Sequence, residues 1–381
     1  MWSLSKKFYR IVFLIGLIYI FMPWFLMDTK KSVVCDALAI NPPKSAVAAQ
    51  KQKCYTHKTV KRNLHGKPAI VNILTINPSQ SNIIIKPSFG SSILDKVSKV
   101  ADIVNIENAV AGINASFFKP VNGKPLGASV INGDLKTGPL YKRVSLGITD
   151  NNCFKMAKLG LYGTITIGDK LKLGLFNINQ PVFSSKNFTI FTDEWGKHTP
   201  STKSYYSHIV VYGNRVQYVK NSSVPIPEGG YVIVGPHKFI AGHISRNAPV
   251  FYEAYLSPRD WNDIKYVLSG GPYLVRDGKI FIDKQNFTRR FLWSKEPRTA
   301  VGYTKSGVLL LVTVDGRHKG FSEGATITEL AQIMHDLGAY NAMNLDGGSS
   351  TQMVVGGKLV NYPTVKGGTK VTNALVIVLP D

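Results

Sequence analysis

The chain has 381 residues, 44% of them hydrophobic, with 34 Gly and 20 Pro, which excludes disordered, collagen-like and small disulfide-scaffold classes and leaves room for one large or two moderate cores. Its formal net charge is +23, of which +4 falls in the first fifty residues and +19 in the rest. That excess favours anionic partners such as sugar phosphates, acidic polysaccharides or a membrane surface; nucleic acid is not expected, because no nucleic-acid module or concentrated basic helix is present.

Lys6, Lys7 and Arg10 precede an uncharged apolar run from Ile11 to Met27. Residues 1–27 read as a signal anchor or a signal peptide, with the remainder exported and held at the membrane or released outside it. Residues 28–60 read as a flexible linker. An exported chain permits a disulfide. Of Cys35, Cys54 and Cys153, the pair Cys54–Cys153 is the expected one, since Cys35 lies in the linker.

From Ala69 onward, β-rich runs follow one another: Ala69 to Ile76, Ala109 to Phe118, Phe188 to Thr192, His208 to Tyr212 with Arg215 to Val219, Thr299 to Tyr303 with Val308 to Val314. Asn, Asp and Gly pairs punctuate them as turns. Leu94 to Asn105 has a helical rhythm. The clearest helix starts at Thr326, where Thr326 and Glu329 have capping-box spacing and Leu330, Ile333, Met334 and Leu337 form one apolar stripe. Gly338 ends it, and Ala342 to Leu345 forms a short strand leading to Asp346-Gly347-Gly348-Ser349-Ser350. The expected fold class is α+β: β-rich mixed sheets with a few packed helices, a single domain over 61–381.

Polar side chains collect beside glycine at strand ends. Asn114, before Phe117 and Phe118, is suited to sugar hydroxyls, and Trp195 with Thr199 offers a stacking face. Gly270 and Gly271 can present backbone N–H groups, while Arg298 and Arg317 can form forks on phosphate oxygens. Asp315 and Asp346 each end an apolar run and precede glycine. Taken singly, an Asp-Gly pair is a turn; if the two strands are neighbours, the pair meets the carboxylate requirement of glycoside hydrolysis. Glu329 is a further carboxylate, already accounted for by its cap. Walker, dinucleotide, Gly-x-Ser-x-Gly, His-Glu-x-x-His and EF-hand patterns are missing from the sequence, so no cofactor or metal is called for.

In this order Asn114-Ala-Ser-Phe-Phe118, Trp195-Gly196, Ser269-Gly-Gly-Pro272, Arg298-Thr-Ala-Val-Gly302, Val314-Asp-Gly-Arg317 and Asn344-Leu-Asp-Gly-Gly-Ser-Ser350 resemble the phosphodiester glycosidase family over roughly residues 65–380. The resemblance implies hydrolysis of a sugar-1-phosphodiester at the anomeric C–O bond, on an anionic sugar-phosphate or polysaccharide. It implies Asp346 as nucleophile or base, and Asp315 or Glu329 as the second carboxylate. Arg298 and Arg317 would hold the phosphate, with Asn114, Thr299, Gly347, Gly348 and Ser349 around the sugar. Two other readings remain open: a non-catalytic polysaccharide binder using the same cleft, and a phosphodiesterase cleaving P–O with a metal at Asp315 and Asp346.

Overall fold

The computed structural model describes residues 54–380 apart from residue 81. The apolar run of residues 1–27 and most of the 28–60 segment lie outside it. Among the described residues no helix is long and apolar enough to cross a membrane.

A seven-stranded antiparallel sheet organises the site. Its order is Tyr55–Leu64, Lys67–Ile76, Leu309–Val314, Arg298–Thr304, Ala339–Asn344, Tyr273–Arg276, Lys279–Ile280. The period-two alternation of its strands sorts side chains onto two faces. Leu309 and Leu311 join Leu74, Ile76, Val301 and Met343 on one face, whereas Leu310, Val312 and Val314 join Val71, Ile73, Ala300 and Ala342 on the other. Helix Ile327–Asp336 covers the second face with Ile327, Leu330, Ala331, Ile333 and Met334. Its capping box forms: Glu329 N–H donates to the Thr326 hydroxyl (3.1 Å), and Thr326 N–H donates to Glu329 Oε2 (2.8 Å).

The first face packs on two five-stranded sheets. One runs Lys358–Leu359, Met353–Val355, Ala111–Asn114, Ala374–Val378, Ile84–Ser88; the other runs Asp134–Thr137, Ser129–Ile131, Tyr266–Ser269, Val144–Ile148, Phe154–Lys158. A fourth sheet of seven strands, from Arg215–Lys220 to Val250–Ser257, includes the parallel pairing of Leu171–Ile178 with Phe188–Thr192. The β-rich mixed character matches the sequence expectation, and the hairpin around Gly213-Asn214 forms between Tyr206–Tyr212 and Arg215–Lys220.

Three expectations need correction. Tyr55–Leu64 is a strand rather than the end of a linker; as a sheet edge it tolerates the exposed, basic sequence that disguised it. The first helix is Val100–Ile106, so the helical rhythm from Leu94 overran its start. Cys54 is a buried free thiol packed as an apolar residue in the core, so the Cys54–Cys153 bridge does not form.

Candidate functional site

Asp346 stands just beyond the end of the Ala339–Asn344 strand, and its surroundings are set almost atom by atom. Its N–H donates to Ala115 O (2.9 Å), and its carbonyl accepts from Asn114 Nδ2 (2.7 Å). Gly347 N–H donates to its Oδ1 (3.0 Å), and the Ser350 hydroxyl is a further partner of the carboxyl group. Protein packs densely around the carboxyl, yet the residue keeps some solvent access, as a group at the floor of a cleft does. Burial raises its pKa from the ordinary 3.8 to about 6, against the opposing pull of Ser350, Gly347 and the nearby Arg143 charge. A carboxyl in that range can change protonation near neutral pH.

The turn that follows requires glycine. A side chain on Gly347 would place its Cβ 2.7 Å from Pro297 O, and Gly348 adopts φ +61°. Gly348 N–H donates to Pro297 O (2.8 Å), and Ser349 O accepts from the Thr369 hydroxyl, so the turn is tied down on both sides. Arg317 lies over this turn: a methyl group on Gly348 would sit 3.2 Å from its Nη2. Its Nε donates to Glu296 Oε2 (2.6 Å), leaving the terminal nitrogens facing the turn.

Several residues named from the sequence as ligand contacts are instead braces. Asn114 is fully buried, and its Oδ1 accepts from the Thr299 hydroxyl (2.8 Å) and from Gln352 N–H (3.1 Å). Its side chain is used up holding the Asp346 backbone, and Thr299, also fully buried, holds Asn114. Arg298 donates Nε to Ala325 O (2.9 Å) and Nη2 to both Phe291 O and Ser294 O (2.8 Å each). Both Nη2 hydrogens are thereby committed, so no two-nitrogen fork remains for phosphate; burial lowers its pKa to about 10. Gly270 and Gly271 donate their N–H groups to Val144 O and Asn344 O, so neither N–H faces an anion. Trp195 is buried against Phe191, with the Lys124 ammonium 4.0 Å from its ring centre, and presents no open face to a sugar.

The two further carboxylates both have partners within the protein. The strands ending at Asp315 and near Asp346 are not neighbours; Arg298–Thr304 runs between them. At the usual ladder spacing the two backbones are therefore about 10 Å apart. Asp315 is buried and accepts from Asn361 Nδ2 (3.0 Å); burial raises its pKa despite that bond. Glu329 accepts from Lys295 Nζ (2.6 Å), is paired with His65 and closes the capping box. Burial alone would raise it, but these bonds prevail and hold it at about 2. Among the described residues no group of three or more His, Cys, Asp or Glu side chains converges to hold a metal ion.

One residue of the site has no counterpart in the sequence reading. Arg143 immediately precedes the Val144–Ile148 strand, and its guanidinium lies 4.5 Å from the ring centres of Phe117 and Phe287. Its charge acts on Asp346. It stands next to no glycine motif, so spacing offered nothing to find it by. Phe117 forms part of the wall against which this arginine rests.

The chain is similar to known proteins in sequence and in fold. Residues 206–378 match the family model described as phosphodiester glycosidase. N-acetylglucosamine-1-phosphodiester alpha-N-acetylglucosaminidase from Bos taurus is 33% identical over 114 residues, 27% of this chain and 21% of that protein. The chain thus spans about a fifth of the length of the curated relatives of that name. A hypothetical protein from Synechocystis has the same fold, with TM-score 0.78 at 26% identity over 86% of this chain and 62% of that one. The zebrafish N-acetylglucosamine-1-phosphodiester alpha-N-acetylglucosaminidase catalytic domain superposes with TM-score 0.50 at 16% identity, over 85% of this chain and 82% of that one, which speaks for the fold.

Proposed function

Because residues 206–378 of this chain belong to the phosphodiester glycosidase family, we propose that its site hydrolyses a sugar-1-phosphodiester at the anomeric C–O bond. The observation that carries this reading is Asp346: a carboxyl just past a strand end, fixed through its backbone and raised to about 6 by burial, in a residue that keeps some solvent access. A structural aspartate tied this firmly would normally be paired; this one has arginines nearby and no ion-pair partner among the described residues.

The chemistry needs one carboxylate more than two. Breaking the C1–O bond sends its electron pair to a phosphate oxygen, and a phosphate monoester is a far better leaving group than a sugar alkoxide. Proton donation matters less than stabilising the departing anion. Asp346 acts at C1, as nucleophile or as base for the incoming water. Arg317, over the Gly347-Gly348 turn, is placed to meet a phosphoryl oxygen. Asn114 and Thr299 act on Asp346 by position. Water supplies the oxygen of the freed sugar hydroxyl and the phosphate retains its own bridging oxygen. The basic charge and the N-terminal apolar run support an exported setting, with an anionic envelope or extracellular glycopolymer as substrate.

Hydrolysis of a sugar-1-phosphodiester in oxygen-18 water tests the reaction. Label in the sugar is the expected result. Label in the phosphate would mean P–O cleavage, and binding without turnover would mean a polysaccharide-binding protein.

A further inference from the structure

Arg143 is half-buried, and its donors are not spent on the protein. Its Nε and Nη1 are closed off from solvent and have no hydrogen-bond partner among the described residues. The contrast with Arg298 is direct: that buried arginine donates to three backbone carbonyls. Shutting a charged donor away from water without an acceptor costs more than the ~1–3 kcal/mol of a neutral group. The contacts with the Phe117 and Phe287 rings offset only part of that cost and give the donors no acceptor.

Two turns build the slot, and both are strained. In Leu140–Arg143 the Arg143 N–H donates to Leu140 O (3.2 Å), with Tyr141 at φ +55° and Lys142 at φ +50°. In Lys284–Phe287 the Phe287 N–H donates to Lys284 O (2.7 Å), with Gln285 at φ +39° and Asn286 at φ +62°. Two successive positive φ values mark turns that ordinarily take Asn and Gly. Tyr, Lys and Gln in such conformations each cost on the order of 1–3 kcal/mol. Gln285 ties the turns together: its Oε1 accepts from Val144 N–H (3.1 Å) and its Nε2 donates to Asp283 Oδ1 (2.6 Å). One turn aims the guanidinium, and the other sets the Phe287 ring against it.

The slot lies close enough to Asp346 for the two charges to interact, yet no ion pair within 4.0 Å joins them. A ligand atom fits that relation better than direct pairing does. We propose that Arg143 is a substrate-binding residue whose guanidinium takes two oxygens of the substrate's phosphoryl group, holding the departing phosphate opposite Asp346 while Phe117 and Phe287 fix its plane. The identity of the anion rests on the phosphodiester glycosidase reading. A planar fork resting against two adjoining rings suits a phosphate and is beyond what a lysine ammonium reproduces.

The test uses the full chain, with inorganic phosphate as the probe in calorimetry and thermal denaturation alongside. Arg143→Met keeps an unbranched stem against the rings and removes the donors; Arg143→Lys keeps the charge and removes the fork. The expected result is phosphate binding weakened roughly 10- to 100-fold in both variants, with the Met variant melting at or above the wild type because the orphan donors are gone. Phosphate binding within threefold of wild type in the Met variant overturns the proposal, as does a wild type that binds no phosphate. Melting well below wild type in both variants also overturns it, since Arg143 would then serve the fold. Loss of phosphate binding in the Met variant from a wild type that cleaves no sugar-1-phosphodiester upholds the slot and sinks the glycosidase reading alone.

Discussion

Replacing Asp346 with Asn separates chemistry from stability and makes the two move in opposite directions. In the folded protein the carboxyl titrates near 6 because burial penalises its charge; in the unfolded chain it titrates near 3.8. Between these values the folded state holds a proton that the unfolded state has released. Stability therefore falls as pH rises through this window, and the favourable contribution of the protonated form is lost above about pH 6. A displacement from 3.8 to about 6 corresponds to about 3 kcal/mol at 1.36 kcal/mol per factor of ten. An asparagine of the same shape never ionises. Asp346→Asn should thus gain on the wild type by up to about 3 kcal/mol between pH 4 and pH 8, read by urea denaturation at the two values. With an unfolding entropy of ~2.1 cal/mol/K per residue, the relative shift in Tm is roughly 4 °C. Over the same range wild-type kcat/KM should climb to a plateau with an apparent pKa about 6, and the variant should lose at least about a thousandfold. A stability difference that does not change with pH, or a folded variant with full turnover, would refute the reasoning.

Other substitutions divide the braces from the contacts. Asn114→Ala strands the Asp346 carbonyl, the Thr299 hydroxyl and the Gln352 N–H; it should cost about 2–4 kcal/mol in denaturant melts and lower kcat with little change in KM. Glu329→Gln should destabilise by about 2–3 kcal/mol at pH 7 while kcat is kept, and the loss should fade as pH falls from 4.5 through 2, where the paired carboxylate itself protonates. Gly347→Ala forces a Cβ to within 2.7 Å of Pro297 O, so the turn must shift; turnover should drop at least tenfold in a protein that still folds, judged by near-ultraviolet circular dichroism.

Which positions matter was legible in the sequence; what each side chain does was much less so. Strand ends at residues 114, 195, 270, 298 and 315, and the turn at 346, were visible as special; those at 114, 270 and 298 brace the Asp346 turn or the strand leading to it. Their polar side chains point into the protein because burying a strand end leaves backbone groups that must be satisfied; Asn114, Arg298 and Asn344 satisfy them, and Thr299 holds Asn114. A residue type suited to a ligand is equally suited to a carbonyl, and only the third dimension says which it met. Strand order was the second thing hidden: the Arg298–Thr304 strand runs between those leading to Asp315 and Asp346, so the two residues do not end neighbouring strands.

Arg143 shows the opposite failure, and its cause is instructive. It sits in the stretch Gly138-Pro-Leu-Tyr-Lys-Arg143, where nothing predicts a turn with two left-handed non-glycine residues. Local sequence preference is violated there, and a preference is violated stably only where the surrounding structure enforces it. The aromatic walls come from Phe117 and Phe287, 26 residues before and 144 residues after the arginine, so no local pattern could carry the signal. Strain at Tyr141, Lys142 and Gln285, orphaned donors on Arg143 and a buried Asp346 carboxyl without an ion pair all fall in one place. Each costs stability, and their joint presence is what the proposed phosphate slot would account for.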